Sequence, residues 1–211
     1  MATECYAKVF GNPITDATLK GMSKYTGKSI ITQKDRAIVA KGNKEERNPT
    51  LQQYVQSLTK ELCLVNIGVF TVCLVHNLTG DTVTYVTSHV WDVPAVYPNC
   101  KDIENGQTAV FMQAKTKGTA VVYRGKNSKR DECDFMLAWY NVQSNNKPLN
   151  KVYGEINEAH HYDDKTVWDA IYKQLDVSGR SDSATWNGCT SIMTISNGAI
   201  PTLNAILTLA D

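Results

Sequence analysis

The chain has 211 residues, 42% of them hydrophobic and 20% charged, which is ordinary for a folded domain long enough to bury a core without disulfide or metal staples. Its 22 Lys and Arg balance 21 Asp and Glu, for a net charge of +1. That balance argues against a nucleic-acid binder, which needs a basic excess to neutralise phosphates, and the composition excludes extended disorder.

The first eight residues lack the positive start and apolar stretch of a signal peptide, and no apolar run reaches the roughly 18–20 residues of a membrane span. A cytoplasmic location is expected, with nuclear or organellar import left open. There Cys5, Cys63, Cys73, Cys100, Cys133 and Cys189 are thiols, and the sequon Asn77-Leu78-Thr79 goes unused. Cys63 and Cys73 sit in apolar, strand-like sequence as small hydrophobes.

Helix grammar opens the chain. Thr15-Asp16 caps a short helix running to Met22, and Thr32-Gln33-Lys34-Asp35 forms a capping box for a second helix that stops at Gly42. Asn48-Pro49 starts a third, in which Leu51, Tyr54, Val55, Leu58 and Leu62 make one apolar stripe suited to packing on a sheet. From residue 62 to 76 the sequence reads as one bulged strand or two strand pieces. Strands follow at 82–87, 108–114, 118–123, 135–142 and 151–156, the pair 108–114 and 118–123 reading as a hairpin across Lys115-Thr116-Lys117. Four cations in Arg124-Gly125-Lys126-Asn127-Ser128-Lys129-Arg130 read as a solvated hairpin loop. Asp163-Asp164 caps one late helix, residues 176–188 read as a Ser/Gly/Asp-rich loop, and strands at 190–195 and 203–209 close the chain. The pattern predicts a mainly β (α+β) protein. Residues 1–61 form a helical segment packed on an antiparallel β-sandwich of residues 62–211, with a helix at 164–175 inserted, all in one compact unit.

No catalytic motif is present: no G-x-S-x-G, no phosphate loop and no H-E-x-x-H. His160-His161-Tyr162-Asp163-Asp164 gathers metal-ligand types, but neighbouring residues point in different directions, so neither a metal nor a cofactor is predicted. Glu155, Glu158 and Asp163 would make an acid/base pair only through tertiary proximity. Cys100 and Cys133 are the least unsuitable nucleophiles, and most such thiols are inert. The balance is against an enzyme. Binding chemistry is better represented. Trp91 and Tyr97 flank a proline-broken loop that suits lipid headgroups, sugars or a protein, or that folds back as a lid on the core. Trp139 and Tyr140 end an apolar strand, one ring facing in and the other out, and an outward Tyr140 near Tyr153 makes a second candidate surface. The predicted ligand-binding residues are therefore Trp91, Tyr97, Trp139, Tyr140 and Tyr153. Exposed sandwich edges leave homodimerisation open.

Two resemblances add to this. Phe10-Gly11-Asn12-Pro13-Ile14-Thr15, then Met22-Ser23-Lys24-Tyr25-Thr26-Gly27-Lys28, then Ile31-Thr32-Gln33-Lys34-Asp35-Arg36-Ala37 resembles the opening of the plant 23 kDa jasmonate-induced proteins. The turns at 77–81 and 105–107 extend the likeness over most of the chain. It implies an intracellular plant stress or defence protein, and it supplies no catalytic residues. The order of turns and strands from Asn77 through 118–123, 135–142 and 151–153 is similar, more loosely, to the actinoporin and aegerolysin-like β-sandwiches, which bind membrane lipids through aromatic loops. The polar stretch 143–148 replaces that group's tyrosine-rich segment, and three polar-faced helices replace its inserting helix. The likeness therefore implies the fold rather than a pore. The leading expectation is a non-enzymatic jasmonate-induced defence protein that binds a ligand or partner through aromatic loops. The alternatives are a membrane-lipid- or glycan-binding module and an enzyme acting on RNA or ribosomes.

Overall fold

Two capping boxes start the first helices where the sequence predicts them. The computed structural model describes residues 7–43, 48–65, 70–91, 100–114, 118–144 and 147–209. Helix α1 (Asp16–Lys20) is opened by reciprocal bonds between Thr15 and Thr18, and α2 (Gln33–Gly42) by the same exchange between Thr32 and Asp35. The Asp35 carboxylate also accepts Lys28 Nζ at 2.6 and 2.7 Å. Lys28, and after it Thr32, hold its pKa down from 3.8 to about 2. A depressed folded-state pKa stabilises the fold above about pH 4, and that contribution disappears as pH falls through about 2. Asp35→Asn is accordingly expected to flatten the loss of stability across that window, measured as urea midpoints at successive pH values. An unchanged acid limb would count against the pairing.

Helix α3 (Pro49–Val65) begins with Asn48 Oδ1 accepting Thr50 N at 2.9 Å. It runs past the predicted strand start at Leu62, so the expected division between residues 61 and 62 falls inside it, and Cys63 is exposed on a helix rather than packed in a strand. The apolar stripe explains the correction: Leu51, Tyr54, Val55, Leu58 and Leu62 pack on Phe10, Val72 and Val110, and this burial extends the helix against local β-propensity.

Among the described residues, ten strands follow the order β1 (Lys8–Phe10), β2 (Phe70–Leu78), β3 (Thr84–Val90), β4 (Thr108–Ala114), β5 (Thr119–Lys126), β6 (Glu132–Ser144), β7 (Lys147–Glu158), β8 (Ser181–Trp186), β9 (Cys189–Ile195) and β10 (Thr202–Leu209). They form a six-stranded sheet, β1-β4-β2-β10-β9-β8, facing a four-stranded sheet, β3-β5-β6-β7. The sandwich is antiparallel except where β10 runs parallel to β2. Strands β4 and β5 belong to different sheets, so residues 108–114 and 118–123 are not the expected hairpin; the chain crosses between layers there. Residues read as loop at 176–188 contain β8, whose alternation of exposed and half-buried side chains is written in Ser, Asp and Thr rather than in the residues that usually mark a strand. Asp182 explains part of that composition: its Oδ2 accepts Gly154 N at 2.8 Å, blocking the free edge of β7. Asp102 does the same for β3, accepting Tyr85 N at 2.9 Å.

Phe135, Leu137, Trp139, Val121 and Tyr123 from the smaller sheet meet Cys73, Val75, Phe111, Met193, Leu203 and Leu207 from the larger one. The helical segment is fastened to one end of this core through α2. Gln33 Nε2 donates to the carbonyls of Thr79 and Lys126 at 3.1 and 3.0 Å. Arg36 reaches the Gly80 carbonyl at 2.6 Å, Asp16 at 2.6 Å and Asp81 at 2.5 Å. Gly80, at φ +87, must be glycine, because a Cβ there would stand 2.1 Å from the Gln33 carbonyl oxygen. Asn77 is fully buried and its amide donates to the carbonyls of Asp81 and Ile103, so the sequon asparagine is a turn-builder inaccessible to modification in the folded chain.

Candidate functional site

The outer face of the four-stranded sheet carries the aromatic chemistry. Register places Tyr140 opposite Lys151, Ala138 opposite Tyr153 and Ala120, and Ala120 opposite His89. Two small residues thus leave a shallow floor between His89 on β3 and Tyr153 on β7. Helix α4 (Val167–Val177) lies over it, burying Trp168, Ile171 and Leu175 against Ala120, Val122, Met136 and Ala138. It starts three residues later than expected, with Asp164 Oδ1 accepting Thr166 N at 2.8 Å.

Trp91 lies at the edge of this cluster. Its ring centroid is 4.9 Å from His89 and 5.4 Å from Tyr172, while His89 stacks flat on Trp168 at 4.7 Å and 4°. Gly118 lets the rings approach, since a Cβ there would be 3.0 Å from Trp91 and 3.6 Å from Tyr172. Burial lowers the pKa of His89, with Asp169 opposing, which favours the neutral imidazole as a stacking partner. Tyr140 continues the row, with Lys151 Nζ 5.7 Å from its ring centroid. Lys151 also binds the Asp176 carbonyl and lies 3.6 Å from its carboxylate, anchoring the end of α4 where Val177 is 78% exposed. Tyr153 donates to Glu155 at 2.9 Å, and burial together with Glu155 raises its pKa.

Trp91, Tyr140 and Tyr153 therefore share one face, all half-buried. Trp139 does not join them. It is 1% exposed and packs against Phe111 between the sheets, because alternation along β6 turns it inward where it turns Tyr140 out. Its assignment as a ligand contact is corrected to core packing. Tyr97 lies outside the described residues. Sequence reasoning missed His89, Trp168 and Tyr172 as members of the cluster, though their spacing held the signal: His89 and Trp91 are two apart on a strand, and Trp168 and Tyr172 four apart on a helix.

The remaining polar candidates are built into the fold. His160 Nδ1 lies 2.9 Å from Asp163 and its Nε2 lies 3.2 Å from Arg124, whose guanidinium also grips Asp134 at 2.8 and 3.0 Å. Among the described residues no group of three His, Cys, Asp or Glu side chains is placed to hold a metal ion. Burial pushes the Cys100 thiol up to about 12; Cys133, 3.8 Å from Cys189 Sγ, is raised as well, chiefly by that neighbour. Neither is primed as a thiolate nucleophile. No helix among the described residues is long and apolar enough to cross a membrane.

A family model described as Nakanori-like protein matches residues 10–210. The chain belongs to the Nakanori-like family. A jasmonate-induced protein homolog from Atriplex canescens is 30% identical over 147 residues, covering 65% of this chain and 77% of that protein. That relative supports the resemblance to jasmonate-induced proteins. Among solved structures, lipid binding protein Nakanori superposes with a TM-score of 0.75 at 21% identity, over 95% of this chain and 99% of that one. The shared feature at that identity is the β-rich fold.

Proposed function

We propose that this protein is a non-enzymatic, jasmonate-linked stress or defence protein that acts from the cytoplasm by binding a membrane-lipid headgroup on the outer face of its four-stranded sheet. One observation carries the reading: Trp91, Tyr172, Tyr140 and Tyr153 line one half-buried face, and the exposed Val177 stands near its end beside the Lys151–Asp176 contact. Amphipathic rings flanked by a cation and an exposed aliphatic suit the boundary between headgroups and acyl chains. The solved relative described as lipid binding supports lipid over glycan as the first ligand class to test.

The test is flotation with phosphatidylcholine and phosphatidylserine vesicles, run beside a glycan array. Wild-type protein is expected to float with at least one vesicle type. Trp91→Ala and Tyr172→Ala should each weaken retention by about tenfold or more, the loss typical of aromatic anchors. Retention unchanged in both variants, or glycan binding without vesicle binding, would overturn the assignment.

A further inference from the structure

A cavity lies on the opposite layer, under α3. It has a volume of about 240 Å³, walled by Leu51 and Val55 of the helix and Leu74 of β2 and floored by His76 and Asn204, with Gln56 at its mouth. Leu74 and Asn204 are register partners across the parallel β2–β10 pair, and His76 lies two residues beyond Leu74, so all three project from the sheet face that α3 covers. No charged side chain lines the cavity among the described residues. His76 is 5% exposed and fixed by Nδ1 at 2.8 Å from Thr108 Oγ1. Asn204 Oδ1 is buried without a hydrogen-bond partner.

A desolvated carboxamide oxygen left unpaired is costly, and protein interiors normally satisfy it. Apolar walls around a few placed polar groups are the usual composition of a small-molecule site. We infer that this cavity binds a compact, uncharged molecule with one apolar body and one hydroxyl, the hydroxyl meeting Asn204. A hydroxyl both donates and accepts, so it satisfies the amide in either orientation. An anion is disfavoured because no cation lines the walls. Size sets the body: an apolar cavity of roughly 150 Å³ holds benzene, so the larger volume here fits a ring with a short alkyl arm. This site is independent of the aromatic face, which lies on the other sheet.

The probes are 4-ethylphenol and its hydroxyl-free analogue ethylbenzene, followed by thermal shift and calorimetric titration on the full chain. At tenfold over Kd, 4-ethylphenol is expected to raise Tm by about 3–6 °C. Asn204→Leu should weaken the phenol by about tenfold while sparing ethylbenzene, as expected when one polar contact is removed. Leu74→Trp, which fills the cavity, should abolish binding of both, and Trp91→Ala should bind both as wild type does. Transferred magnetisation from the phenol ring to Leu51 and Leu74 methyls locates the ligand in the unaltered protein. The inference is overturned if 4-ethylphenol gives no shift, if its preference over ethylbenzene survives Asn204→Leu, or if the ring contacts other methyls instead.

Discussion

Trp139→Ala is expected to lower the unfolding free energy by about 3–5 kcal/mol, read as a fall in the urea midpoint at unchanged slope. The ring is fully enclosed between the sheets, against Phe111 on the facing layer and within the cluster containing Cys73, Leu137 and Leu203. Truncation removes its apolar contacts and leaves a cavity that two hydrogen-bonded sheets cannot collapse to fill. Its indole Nε1 is buried without a hydrogen-bond partner, so no polar bond is lost with the ring. The neighbouring Tyr140→Ala gives the opposite result. That ring is half-buried on the outer face beside Lys151, so its loss should cost about 1 kcal/mol or less in stability, as for most surface changes, while vesicle retention falls. The two adjacent substitutions thus separate folding from binding. Loss of vesicle retention by Trp139→Ala at wild-type stability would reverse the assignment of faces along β6.

Elements whose grammar is local were legible in the sequence. The Thr32–Asp35 box and the Thr15 cap are short-range exchanges of hydrogen bonds, and the structure forms both. The partition of Trp139 and Tyr140 to opposite faces also follows from period two, although period alone does not say which face is core. What escaped was set by partners distant in sequence. Part of the polarity of strand β8 comes from Asp182, which reaches Gly154 N, 28 residues away, a contact that no local rule announces. The 108–123 segment looked like a hairpin because its linker is short; membership of opposite sheets is decided by β2 and β6, which pair with its two halves. The aromatic site was half legible for the same reason. The sequence pairs Tyr140 with Tyr153 and puts Trp91 on a separate loop, whereas Trp168 and Tyr172 join them because α4 lies over β5 and β6, a contact distant in sequence.

Arg36→Ala should loosen the helical segment at its attachment to the sandwich, costing about 3 kcal/mol, the low end of the range for breaking a largely buried ion pair. Its guanidinium holds three groups on two elements: Asp16 at the start of α1, and Asp81 and the Gly80 carbonyl in the turn after β2. Asp16 is exposed and contributes little alone, whereas Asp81 has a buried Oδ2 whose nearest other cation is Arg130 at 3.9 Å. Without Arg36 that carboxylate keeps just the long contact from the exposed Arg130, and α1 and α2 lose their common anchor. Lysine cannot restore the bridge, because one ammonium does not reproduce a planar fork directed at two carboxylates and a carbonyl. Arg36→Lys should therefore recover less than half of the loss in urea midpoint. Asp81→Asn in the Arg36→Ala background should recover part of it by removing the orphaned charge. The rescue is the decisive measurement: if the double variant is no more stable than Arg36→Ala, the arginine is a packing element and the charge pairing is incidental.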